Sequence, residues 1–190
     1  MARSSRETYS LNKNKYLLRP ELDRLNYIIY SFLDAQPRDC LLLSLALKTG
    51  ARAQELLNIQ FGDINEYDQT IYIRGIKGSN DRELPVKKDL FRRLLRLKQE
   101  ARDQGKNSQR PDLQKHLFPI SYPRLVQIWQ HYRPVHKKFH SLRHTFAIEL
   151  YKKTKDIRLL QMALGHRNIA NTMIYADYVY SQTELRRLLL

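Results

Sequence analysis

The chain has 190 residues, of which 42% are hydrophobic and 10% aromatic, and it carries a formal net charge of +15 at pH 7. This length suffices for one well-buried core, and the apolar content excludes an intrinsically disordered chain. No apolar run approaches the ~20 residues of a membrane span, and the first ten residues lack the apolar segment of a signal peptide. We therefore expect a cytoplasmic protein, in which the single Cys40 forms no disulfide within the chain.

The basic excess comes from 34 Lys and Arg residues against 19 Asp and Glu residues. A folded domain with this charge repels itself, so a polyanion is the expected partner. A nucleic acid fits that description, and a protein bound to DNA would associate with the nucleoid. A membrane surface fits less well, because no strongly amphipathic basic helix with a continuous apolar face is present. A basic structural protein would carry the same charge, so the charge does not indicate catalysis.

Residues 1–18 are polar and basic, and they are predicted to form an arm or linker. A helix follows, opened by Pro20 and Glu21, because proline suits the first helical turn and an acidic side chain favours the helix N-terminus. Pro37 opens a second helix, which is apolar nearly all round and ends at Gly50. We expect this second helix to lie at the centre of the core.

The next stretch reads TGARAQEL and places Arg52 and Glu55 one helical turn apart. An ion pair on the surface would explain this spacing. Residues 69–86 then alternate and are rich in β-branched side chains, with GSND as a turn, which predicts a β-hairpin. Lys77 stands at the end of its first strand and by itself would be one of many solvated lysines.

Two more helices are predicted before the C-terminal third of the chain. Residues 87–102 form a basic amphipathic pattern whose leucines are expected to face the core, and residues 122–137 form another helix that Pro134 must end or kink. Residues 103–114 between them are rich in turn formers and predict a loop. The fold class is therefore mainly α with a small antiparallel β-sheet.

A helix beginning near His140 brings that imidazole and the guanidinium of Arg143 together, since the two residues are three apart. His136, His140 and His144 also recur every four residues, a spacing with which three imidazoles could bind zinc. The cation of Arg143 and the absence of an HExxH carboxylate count against a metal. We therefore expect no metal site.

The following helix covers residues 156–164, with Asp156 as its N-cap and Gly165 as its stop, which leaves His166 in a turn. A third helix, beginning near residue 168, carries Tyr175 nine residues after His166. Such a tyrosine could be a core aromatic or a nucleophile. Beyond it, Ser181 begins a predicted capping box of a C-terminal helix, 179–190, that ends in three leucines.

Taken together, HSLRH, LGH and a tyrosine nine residues later resemble the C-terminal signature of the tyrosine recombinases, the phage-type integrases. TGARAQEL and GIKGSNDRELPV resemble two upstream motifs of the same family. The resemblance covers about residues 19–178, which would be the catalytic domain. It implies a site-specific recombinase that cleaves and rejoins DNA through a 3′-phosphotyrosyl intermediate, without a metal or any other cofactor.

The resemblance also implies a role for each motif residue. Arg52 and Arg143 would bind the phosphate with support from Glu55, Lys77 would protonate the leaving 5′ oxygen, His140 would accept the tyrosine proton, His166 would donate to a phosphate oxygen, and Tyr175 would be the nucleophile.

Members of this family often assemble on DNA, which implies a synaptic tetramer. The terminal leucines would either contact a neighbouring subunit or dock on their own domain. Many members also carry an N-terminal DNA-clamping domain, whereas an 18-residue arm stands here. A type IB topoisomerase and a non-catalytic DNA-binding regulator are the alternatives.

Overall fold

A computed structural model describes residues 10–76, 78–105 and 115–190. Lys77 and most of the predicted 103–114 loop lie outside these described residues. The helices are α1 (Arg19–Phe32), α2 (Pro37–Thr49), α3 (Ala53–Leu57), α4 (Lys88–Gly105), α5 (Tyr122–Tyr132), α6 (Ser141–Thr154), α7 (Ile157–Leu164) and α8 (Ala170–Leu189), and the strands are β1 (Ile64–Asn65), β2 (Thr70–Ile73) and β3 (Arg82–Pro85). The prediction of a mainly helical chain with a small antiparallel sheet is confirmed.

Helix α2 lies at the centre of the larger hydrophobic core, as predicted, and packs against α1, α4 and α6. Pro37 is its first residue, and Gly50 ends it in the left-handed conformation at φ 60°. A Cβ on Gly50 would lie 2.4 Å from the ring of Phe146 in α6. The stop therefore needs glycine both for its backbone and for the close approach of α6.

The predicted hairpin is present, with Ile71 opposite Leu84 and Ile73 opposite Arg82. A third strand, β1, pairs antiparallel with β2, but its two residues are too short to leave a pattern in the sequence. The loop after β2 folds back so that Ser79 makes an isolated antiparallel bridge with His166. The loop between β2 and β3 therefore contacts the turn between α7 and α8.

Helix α7 begins and ends as predicted. The Asp156 carboxylate accepts hydrogen bonds from the backbone N–H groups of Arg158 and Leu159 at 2.8 and 2.9 Å, and Gly165 has φ 68°. The predicted capping box at Ser181 is wrong, because α8 continues through this position. The Ser181 hydroxyl instead donates to the carbonyl oxygen of Tyr178 at 2.9 Å. No glycine or proline interrupts this stretch, so the local cap signal does not start a new helix.

Residues 10–18 pack on the folded domain, which differs from a free arm. The side chains of Leu11 and Leu17 are buried, and the backbone N–H of Leu17 donates to the hydroxyl of Thr145 in α6 at 2.8 Å. Leu11 and Tyr16 belong to a second hydrophobic cluster, formed mainly by α6, α7 and α8. No helix in the described residues combines the length and the apolar character that crossing a membrane requires.

Candidate active site

A buried carboxylate, Glu55, holds the basic side chains of the site together. Its side chain is 0% exposed and accepts hydrogen bonds from the backbone N–H and Nη1 of Arg52, at 2.9 and 3.0 Å, and from Nη2 of Arg82 at 2.8 Å. Nη1 of Arg143 lies 3.9 Å away. Burial opposes ionisation, but the hydrogen bond and charge of Arg82 outweigh it and lower the pKa of Glu55. Three guanidiniums therefore surround one ionised carboxylate.

Arg143 is 2% exposed and is fixed by two backbone carbonyl groups. Its Nη1 donates to the oxygen of Gly50 at 2.6 Å, and its Nη2 donates to the oxygen of Leu164 at 2.8 Å. The stops of α2 and α7 thus hold this guanidinium from two sides. Burial, followed by the charge of Arg52, lowers the pKa of Arg143 to about 9, so the group remains charged at neutral pH.

His166 is buried directly after the stop of α7 and lies against Arg143. Its Nε2 is 2.9 Å from Nη2 of Arg143, and its Nδ1 is 2.8 Å from the hydroxyl of Thr172. An arginine can only donate, so Nε2 accepts and the proton of the neutral ring is on Nδ1. Burial and the charge of Arg143 lower the pKa of His166 to about 3, consistent with a neutral ring.

Arg52 and His140 form the accessible side of the site. The Arg52 side chain is 30% exposed, and its Nη1 also donates to the hydroxyl of Ser79 at 2.8 Å. His140 is exposed at the N-cap of α6. Partial desolvation of its ring, followed by the charges of Arg143 and Arg52, lowers the pKa of His140 to about 4. Its imidazole is therefore neutral at pH 7 and able to accept a proton.

Tyr175 is 2% exposed in the second hydrophobic cluster and reaches the site through His144. The Tyr175 hydroxyl lies 2.9 Å from Nδ1 of His144, whose ring packs edge-on against the ring of His140 at 4.7 Å between centroids. Burial and the neighbouring His140 lower the pKa of His144 to about 3, so this imidazole is neutral as well. Tyr178 points elsewhere, with its hydroxyl 3.0 Å from that of Tyr16.

The structure thus brings five of the predicted residues, Arg52, Glu55, His140, Arg143 and His166, into one cluster, and it places Tyr175 beside them behind His144. The predicted Lys77 lies outside the described residues, although both neighbours of Lys77 are described. Four residues that the sequence did not single out for these roles also build the cluster: Ser79, Arg82, His144 and Thr172. Three of these four residues stand inside motifs quoted above, Ser79 and Arg82 in GIKGSNDRELPV and His144 in HSLRH, but neither motif indicates the contacts that they make.

No group of three or more His, Cys, Asp or Glu side chains within the described ranges is placed to hold a metal ion. Guanidiniums and neutral imidazoles beside a tyrosine hydroxyl can bind a phosphodiester and supply a nucleophile to it.

Comparison with known proteins identifies the family. Residues 15–182 match the model of the phage integrase family. The chain belongs to this family.

Two curated relatives are tyrosine recombinases. XerA of Pyrococcus horikoshii is 32% identical over 141 residues, which cover 73% of this chain and 50% of XerA. XerH of Campylobacter jejuni is 33% identical over 148 residues, covering 74% of this chain and 41% of XerH. The chain therefore spans about half the length of the curated relatives it matches.

A solved structure of XerH bound to palindromic difH substrate, a post-cleavage complex, superposes with a TM-score of 0.72. It is 24% identical, and the match covers 94% of this chain and 54% of that one. This likeness shows that the two proteins share a fold.

Proposed function

We propose that this chain is the catalytic part of a site-specific DNA recombinase that cleaves and rejoins strands through a 3′-phosphotyrosyl bond to Tyr175. The observation that carries the proposal is the cluster of Arg52 and Arg143 on one buried carboxylate, with the Tyr175 hydroxyl behind His144. Both curated relatives described above are named tyrosine recombinases. Double-stranded DNA is the proposed partner, consistent with the net charge of +15.

In the proposed reaction, the Tyr175 oxygen attacks phosphorus and the bond to the 5′ oxygen breaks. An unperturbed tyrosine has a pKa near 10, so its phenolate costs about 4 kcal/mol at pH 7. The two arginines offset this cost by neutralising charge on the phosphate, and His140 accepts the phenol proton. Lys77 protonates the leaving 5′ oxygen.

The attack requires two local changes from the geometry described here. Tyr175 is 2% exposed, so α8 must shift relative to α6 for its hydroxyl to meet DNA. Nε2 of His166 accepts from Arg143, so donation to a phosphate oxygen requires the ring to gain a proton or change tautomer. A bound phosphate favours the change at His166, because it draws the guanidinium of Arg143 to itself and stabilises positive charge on the imidazole of His166.

We also propose that the end of α8 contacts a second copy of the chain on DNA, within a synaptic tetramer. Leu185, Leu188, Leu189 and Leu190 are all at least half exposed at this end, and an apolar edge of this kind needs a cover. Removing residues 185–190 should therefore impair assembly on DNA more than binding of a single copy. Equal recombination by the shortened protein would contradict this part of the proposal.

The experiment that tests the proposed function uses duplexes with randomised arms around a central nick. Cleavage near the nick releases a short fragment, so religation fails and covalent protein–DNA adducts accumulate. We expect adducts on selected sequences in the presence of a chelator, and at least about a hundredfold fewer with Arg143→Lys, which keeps charge but loses the planar fork. Adducts independent of sequence, with relaxation of any plasmid, would indicate a topoisomerase, and binding without adducts would indicate a regulator.

A further inference from the structure

Ser79 lies at the junction of three parts of the site. It is 3% exposed, and its hydroxyl donates to the carbonyl oxygen of Gly165 at 2.9 Å while accepting from Nη1 of Arg52 at 2.8 Å. A serine hydroxyl has one proton and two lone pairs. Because the proton goes to Gly165, a lone pair is directed at the guanidinium.

The backbone around Ser79 fixes the loop to the turn between α7 and α8. Ser79 bridges to His166, and the backbone N–H of Asn80 donates to the oxygen of Gly165 at 2.8 Å. A Cβ on Gly165 would lie 2.6 Å from the carbonyl oxygen of Asn80, so the two segments are in direct backbone contact. Ser79 and Asn80 are therefore docked beside His166 rather than extended into solvent.

The contact with Ser79 also determines which edge of Arg52 is offered to a ligand. Nη1 of Arg52 is used twice, by Oε1 of Glu55 at 3.0 Å and by the Ser79 hydroxyl. Within the described part of the chain, Nε and Nη2 of this partly exposed guanidinium make no hydrogen bond, so they form the edge for a bidentate contact with a phosphate. Without Ser79, the side chain would keep a single anchor for Nη1 and could rotate about it.

We propose that Ser79 is a positioning residue for the cleavage reaction. It orients the guanidinium of Arg52 towards the phosphate, and it holds residues 79 and 80 against the turn that contains Gly165 and His166. This inference rests on the proposed function, because the orientation of Arg52 matters for catalysis only if Arg52 binds the reacting phosphate.

The first test measures single-turnover adduct formation on the nicked duplex. Ser79→Ala removes a hydrogen bond to a charged group, so we expect a loss of about tenfold to a hundredfold in rate, with DNA affinity within about threefold of the unaltered protein. Ser44→Ala is the matched control, because Ser44 is half-buried in α2 and outside the site, and it should leave the rate unchanged.

If the Ser79 hydroxyl had only a structural role, Ser79→Ala would lower the rate of adduct formation equally in any background. The substitution is therefore repeated in a protein that carries Arg52→Lys. If Ser79 acts through Arg52, Ser79→Ala should then cost less than about threefold, because coupled residues are not additive. An undiminished loss in this background, an unchanged rate for Ser79→Ala alone, or the absence of a cooperative melting transition in Ser79→Ala would overturn the proposal.

A second measurement needs no DNA and separates this proposal from the proposed function. The ¹⁵N resonances of the Arg52 side chain, assigned by comparison with Arg52→Lys, should show slow rotation of Nη1 in the unaltered protein. Ser79→Ala should accelerate that rotation. A protein that forms no adduct but shows this change would contradict the proposed function alone, whereas identical Arg52 resonances in both proteins would contradict the role of Ser79.

Discussion

Replacing Glu55 by glutamine tests the central charge balance of the site. The side chains of Glu55 and Arg82 are 0% and 5% exposed, and Nε and Nη1 of Arg82 are buried without a hydrogen-bond partner among the described residues. Removing one partner of a buried ion pair costs about 3–5 kcal/mol, because the other charge stays buried. Glutamine keeps the shape and one acceptor oxygen, so we expect a loss of about 3 kcal/mol.

Urea denaturation at pH 7 measures this loss as a fall in the free energy of unfolding at constant slope. The control is Glu149→Gln, which breaks a 3.8 Å pair with Lys152 in which both side chains are about half exposed, and it should change stability by less than about 1 kcal/mol. Equal losses in the two variants would refute the reasoning.

The pH dependence of the same comparison follows from the lowered pKa of Glu55. A carboxyl whose folded pKa lies below its unfolded value of about 4.3 stabilises the protein fully above that pH. This stabilisation disappears as the pH falls through the folded pKa. The difference between the unaltered protein and Glu55→Gln should therefore be largest near neutral pH and shrink in acid, and a difference that grows in acid would contradict it.

Substitutions at Gly165 and at His144, each with a control variant, test packing around the site. Gly165→Ala should destabilise the protein by more than about 1 kcal/mol, because φ is 68° and the new Cβ would meet the oxygen of Asn80. Gly62→Ala should cost less when both variants are compared by thermal melting, because no atom of the described residues lies within 4 Å of a Cβ placed on Gly62. His144→Leu should cost about 1 kcal/mol by removing the hydrogen bond to the buried Tyr175 hydroxyl, and His144→Asn should cost less because an acceptor remains. Equal stability of the two His144 variants in urea would contradict that contact.

Local signals account for the parts of the fold that the sequence predicted. The starts and stops of α2 and α7 are set by Pro37, Gly50, Asp156 and Gly165. Each of these residues acts within its own backbone or the next turn, so its effect can be predicted without a tertiary structure. The failure at Ser181 has the same origin. A capping signal that is not accompanied by a helix breaker does not interrupt a helix that is already formed.

The unpredicted residues depend on contacts between distant parts of the chain. Ser79 meets Gly165 across 86 positions, and Arg82 meets Glu55 across 27. Both residues lie within GIKGSNDRELPV, but nothing in the spacing of that motif indicates which distant residue a loop serine or a strand arginine will contact. His144 stood inside the HSLRH motif, but its contact with Tyr175 requires α6 and α8 to pack side by side.

The proposed identity of the nucleophile is tested most directly by locating the covalent bond to DNA. Adducts trapped on the nicked duplex with a chelator present can be digested with protease and nuclease, and the phosphotyrosyl peptide can be sequenced by mass spectrometry. The proposed function predicts that the phosphate is found on Tyr175. It also predicts that Tyr175→Phe binds DNA but forms no adduct, whereas Tyr178→Phe still forms the adduct. A phosphate on Tyr178, or an adduct that survives in Tyr175→Phe, would contradict the account.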